Sequence, residues 1–63
     1  MFIVQGKPRG PEGIIKVIKE TRPEALQAAH DLLDNGMAVV TVIADGRVYT
    51  VDEFALTIIN NRD

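Results

Sequence analysis

The dipeptide Asp45-Gly46, set between the runs 37–44 and 47–51, constrains this chain more than any other feature. A type I′ hairpin turn needs positive φ at both central residues, and Asp-Gly adopts it at low steric cost. A two-residue loop also fixes the register. Ala44 then opposes Arg47, Ile43 opposes Val48, Val42 opposes Tyr49 and Thr41 opposes Thr50. Side chains alternate across a strand. One face of the hairpin therefore carries Ala38, Val40, Val42, Tyr49 and Val51, and the other carries Val39, Thr41, Ile43, Val48 and Thr50.

A helix is predicted on each side of this hairpin. Thr21-Arg22-Pro23-Glu24 has the form of a capping box, in which a threonine hydroxyl accepts from the N3 amide and the glutamate side chain reaches back. Pro23 falls in the first turn, where its missing N–H costs nothing. Ala25, Leu26, Ala29, Leu32 and Leu33 form an apolar stripe opposite Gln27, His30, Asp31 and Asp34, and Asn35-Gly36 closes the helix. Thr50-Val51-Asp52-Glu53 is a second capping box, with Tyr49 and Phe54 placed as a hydrophobic staple. Val51, Phe54, Ala55, Ile58 and Ile59 follow at helical spacing, and residues 60–63 are expected to fray.

Residues 2–5 read as a short strand. Three Gly and two Pro within 6–13 predict a flexible loop. The run 14–19 suits a helix or a strand by spacing alone. Its four apolar residues are all β-branched, which favours a strand. The order is then β-β-α-β-β-α over residues 1–63, a single small two-layer α+β domain with two helices packed on a mainly antiparallel sheet. The strand order stays open, as does which sheet face the helices cover.

The run Glu24-Ala25-Leu26, Ala29, Leu32-Leu33, Gly36, Val39-Val40, Val42-Ile43, Asp45-Gly46-Arg47 resembles short uncharacterised proteins built around a strand–helix–hairpin unit. The resemblance covers roughly residues 13–50. It consists of core and turn positions, so it implies an architecture and transfers no functional residue.

Several chemistries are closed to this composition. A chain of 63 residues without Cys has no disulfide or thiolate metal site, so its stability rests on an apolar core or on association with another chain. There is no Ser or Cys nucleophile. Gly6-Lys7-Pro8-Arg9-Gly10 lacks the order of a phosphate-binding loop, and its prolines remove amide donors. His30 is the sole imidazole and falls on the polar face of the first predicted helix. Asp52 and Glu53 are adjacent carboxylates, but a helix N-terminus accounts for them without catalysis. The expectation is a protein that is no enzyme and takes no metal or cofactor. No targeting segment and no apolar run long enough for a membrane span is apparent, and the cytoplasm is the default compartment.

Surfaces remain. Residues 1–22 hold five cations against two acids, a net +3, and residues 23–63 hold two cations against seven acids, a net −5. The cations Lys7, Arg9, Lys16, Lys19 and Arg22 are candidates for weak polyanion contact, although a nucleic-acid platform wants exposed aromatics interleaved with them. The second surface is the Val39, Thr41, Ile43, Val48 face of the hairpin. If both helices cover the opposite face, this one is open and apolar and suits a homodimer or another protein partner. If the helices straddle the sheet, it is core. The expected function is therefore a non-catalytic protein-interaction module, homodimeric or bound to another protein, with weak nucleic-acid binding as the alternative.

Overall fold

The computed structural model describes residues 1–11 and 13–60, with the side chains of Ile59 and Asn60 excepted. Four strands and two helices follow one another as β1 (Phe2–Lys7), β2 (Ile15–Lys19), α1 (Arg22–Asp34), β3 (Val39–Ala44), β4 (Arg47–Thr50) and α2 (Val51–Asn60). All four strands join one sheet in the order β2-β1-β3-β4, and every pairing is antiparallel. Both helices pack on the same face, which makes a two-layer α+β domain.

The turn fixes the β3–β4 pairing as its chemistry requires. Asp45 has φ 53° and Gly46 φ 76°, the two left-handed residues of a type I′ loop. The register is Ala44 with Arg47, Ile43 with Val48, Val42 with Tyr49 and Thr41 with Thr50, as the loop length dictates. β3 is shorter at its start than the apolar run suggested. It begins at Val39, while Ala38 is exposed and donates its N–H to the Lys7 carbonyl at 2.8 Å.

The N-terminal strand runs two residues further than the loop expected over 6–13. Gly6 and Lys7 belong to β1, where Gly6 pairs with both Ile15 and Val40 and Lys7 pairs with Val39. Two ladders hold the backbone straight despite a local composition that favours a turn. Gly6 is buried, and its missing side chain is what lets α1 settle on the sheet. A Cβ built there would lie 3.1 Å from Leu32 Cδ1 and 3.1 Å from Met37 Cγ. The rest of that segment, as far as the structure describes it, carries no regular element; Glu12 lies outside the described residues.

Each helix starts where its cap places it. Thr21 accepts from the Glu24 N–H at 3.3 Å, and its hydroxyl donates to the Glu24 carboxylate at 2.9 Å, so the glutamate bonds the side chain of the cap instead of its amide. The second box is reciprocal. Glu53 N–H donates to Thr50 Oγ1 at 3.1 Å, and Thr50 N–H donates to the Glu53 carboxylate at 2.9 Å. α1 ends in a Schellman motif at Gly36, φ 88°, with Met37 N–H on the Leu32 carbonyl and Gly36 N–H on that of Leu33. Of the residues 60–63 expected to fray, Asn60 is the last residue of α2 and 61–63 lie outside the described residues, as does the core position expected for the Ile59 side chain.

The core is built from Val4, Val40, Val42 and Ala44 of the sheet, Ala25, Ala28, Ala29 and Leu32 of α1, and Val51 and Phe54 of α2. Phe54 is fully buried, with Phe2 edge-on at 5.7 Å and Tyr49 tilted at 6.1 Å, which realises the staple. The α1 stripe is rotated relative to expectation. Ala28 is buried in it, and Leu33 is 40% exposed. Small residues at 25, 28 and 29 let the helix lie close to the strands, and a Leu at 33 cannot follow them inward.

Candidate interaction surface

With both helices on one side, nothing among the described residues covers the other side of the sheet. Val4 and Val42 are fully buried on the helix side. Alternation then places their strand neighbours Ile3, Gln5, Thr41 and Ile43 on the open side. The ladder registers align these residues across the sheet. Ile3 pairs with Ile18 on β2 and with Ile43 on β3, and Ile43 pairs with Val48 on β4. Ile18, Ile3, Ile43 and Val48 thus form one apolar row that crosses all four strands. Ile18 is 60% exposed and Val48 65%, while Ile3 and Ile43, flanked on both sides, are half-buried.

The next row on the same side is polar: Lys16, Gln5, Thr41 and Thr50. Beyond it Lys7 pairs with Val39, which is 53% exposed. At the opposite end of the sheet, just past the strand termini, Glu20 and Asp45 are both exposed. Along the strands the open face therefore runs from an apolar band to a polar row with Lys16 and on to Lys7, with exposed Glu20 just past the apolar end of β2.

The four interface candidates of the hairpin, Val39, Thr41, Ile43 and Val48, all lie on this side. Ile43 and Val48 share the apolar row, Thr41 stands in the polar row, and Val39 is two rows away from the apolar one. Ile3 and Ile18 complete the row, and sequence reasoning about the hairpin alone missed them. Their signal was present in the alternation with Val4 and Val17, but only the β1–β3 pairing shows that they join Ile43.

The five N-terminal cations divide between the two sides. Lys7 and Lys16 are on the open side, and exposed Arg9 is in the loop. Lys19 pairs with Phe2 on the helix side and is half-buried. Arg22 is engaged there too: its guanidinium stands 5.3 Å from the Phe2 ring and 5.8 Å from the Phe54 ring, and it donates to Thr57 Oγ1 at 3.0 Å. That arginine ties the first turn of α1 to α2 and leans on the aromatic end of the core.

Among the described residues, the other candidates have local partners or none. Asp31 accepts from Gln27 Nε2 at 3.0 Å, one turn away on α1, and His30 is exposed between them in sequence. Glu53 is held by its capping box. Among the described residues no pocket opens, no group of three metal-ligating side chains forms, and no helix is long and apolar enough to cross a membrane. No protein-family model, curated protein or solved structure matches the chain.

Proposed function

We infer that this protein is a non-catalytic protein-interaction module whose contact surface is the open face of its sheet. The observation that carries this reading is the row Ile18, Ile3, Ile43 and Val48, four β-branched side chains in register across every strand. Apolar side chains scattered singly on a surface need no explanation, but a contiguous band rimmed by polar groups marks a contact site. Antiparallel sheets commonly leave one face to water, and that face then alternates to polar residues. This one keeps aliphatic residues at its centre.

A photoreactive side chain placed at Val48 tests the reading against a control at Leu56. Both positions are similarly exposed, at 65% and 55%, but Leu56 lies on α2 away from the sheet face. Protein adducts at position 48 and few at 56 are expected in a lysate of the expressing cells and in concentrated pure protein. Equal yields at the two positions, or none at 48, would contradict the reading.

Charge supports polyanion binding less well. Lys7, Arg9 and Lys16 can act together, but Lys19 and Arg22 lie on the helix side of the sheet.

A further inference from the structure

Resting on the open-face reading, we propose that the partner is a second copy of this chain, packed sheet to sheet about a twofold axis that runs along the row Ile18, Ile3, Ile43, Val48. The face is complementary to itself in that arrangement and in no simple alternative. A twofold axis along the row reverses the strand direction and lays each strand over its own counterpart. The apolar row then meets itself. Glu20 and Lys16 both lie two residues from Ile18, on either side, so Glu20 of each copy falls over Lys16 of the other.

An axis along the strands would instead lay β2 over β4 of the other copy, setting Lys16 over Thr50 and away from Glu20. Aligned sheets pack about 30° apart, and over half the width of four strands that rotation displaces the rim by about 4 Å, within reach of Lys and Glu side chains. Edge-to-edge pairing is the other route to a dimer, and both edges are blunted. β2 carries Lys16 and Lys19 along its five residues, and β4 is four residues long and runs straight into α2.

The contact is small. Four strands about 4.8 Å apart, covered over about 20 Å of their length, give a footprint of about 400 Å² per copy. That is roughly half the 800 Å² per partner of a stable interface, so the dimer is weak and concentration-dependent, with a Kd of roughly 10–100 μM. The overlap also leaves Val39 outside it, two rows from the axis.

Sedimentation equilibrium on the intact chain tests the arrangement, with circular dichroism to show that each variant is folded. Lys16→Glu and Glu20→Lys each set like charges against one another twice per dimer, and each should weaken association about tenfold. Mixing the two variants, or combining both changes in one chain, restores opposite charges at both contacts and should return association to the wild-type level. Val39→Lys should leave it unchanged. Single variants that associate like wild type, a mixture no tighter than its components, or a Val39→Lys protein that is monomeric would each overturn the axis. A wild type that stays monomeric at about 1 mM, ten times the weakest Kd expected of so small a contact, would overturn the second copy as partner. Adducts to other proteins at position 48 would then still separate that failure from a failure of the open-face reading.

Discussion

Replacing Gly6 by Ala adds one methyl group where Leu32 of α1 and Met37 press on β1, and the structure sets the size of the effect. The new Cβ would meet Leu32 Cδ1 at 3.1 Å, Met37 Cγ at 3.1 Å and Met37 Sδ at 3.3 Å, all inside ordinary van der Waals contact. Met37 is half-buried and unbranched, so it can move by a few tenths of an ångström. Leu32 is buried in the core and cannot move without displacing its neighbours. Overpacking of this kind costs about 1–3 kcal/mol, and the lower end applies because one of the two neighbours yields. Alanine restricts the unfolded chain more than glycine does, which offsets roughly 0.5–1 kcal/mol. The net expectation is a destabilisation of at most about 0.5 kcal/mol. Urea denaturation followed by circular dichroism should show a lower midpoint with an unchanged slope. Gly6→Val adds two further methyl groups to the same space and should cost well over 2 kcal/mol. Leu32→Ala alone should cost about 2–3 kcal/mol, but less in the Gly6→Ala background, because the inserted methyl occupies part of the vacated space. A Gly6→Ala protein more stable than wild type, or strict additivity with Leu32→Ala, would refute the claim that this glycine is what lets the helix settle on β1.

Thr50→Ala removes the side-chain half of the α2 capping box, the bond accepted from the Glu53 N–H, and keeps the backbone half from the Thr50 N–H; it should destabilise by about 1 kcal/mol, read from the denaturation midpoint. Arg22→Met keeps the aliphatic stem but loses the bond to Thr57 and the stacking on Phe2 and Phe54, for about 1 kcal/mol by thermal melting. Titration of a short DNA duplex should show weak binding with a log–log salt slope no steeper than about −3, since Lys7, Arg9 and Lys16 can act together while Lys19 and Arg22 lie across the sheet. A slope near −5 would mean that all five cations reach the polymer.

The parts of the fold that local chemistry determines were legible in the sequence. Asp45-Gly46 dictates both the turn and the register of its strands, and each Thr-x-x-Glu sequence marks a helix start, because these signals act over four residues. What escaped depends on distant partners. Gly6 and Lys7 read as loop, since only the double pairing with β2 and β3 makes them strand. The inward rotation of α1 onto Ala28, away from Leu33, follows from how closely the helix approaches a strand that bears glycine. Arg22 looked like one of five free cations because its aromatic partners lie 20 and 32 positions away in the chain. The hairpin half of the open face was readable from alternation. The row itself was not, because it requires β1 to sit between β2 and β3, an order that no local signal in this chain encodes.

The central claim is that the open sheet face is a contact surface and that a second copy covers it. The most direct measurement is the molar mass of wild type, Ile43→Lys and Val48→Lys across a dilution series that reaches about 1 mM, well above the Kd expected of so small a contact. Val48 is the safer of the two sites, being 65% exposed on an edge strand, so its variant should keep the wild-type circular dichroism spectrum. The account predicts that wild type rises from 6.9 kDa toward twice that mass, and that both lysine variants remain at 6.9 kDa. A wild type fixed at 6.9 kDa throughout, or folded lysine variants that still double in mass, would contradict it.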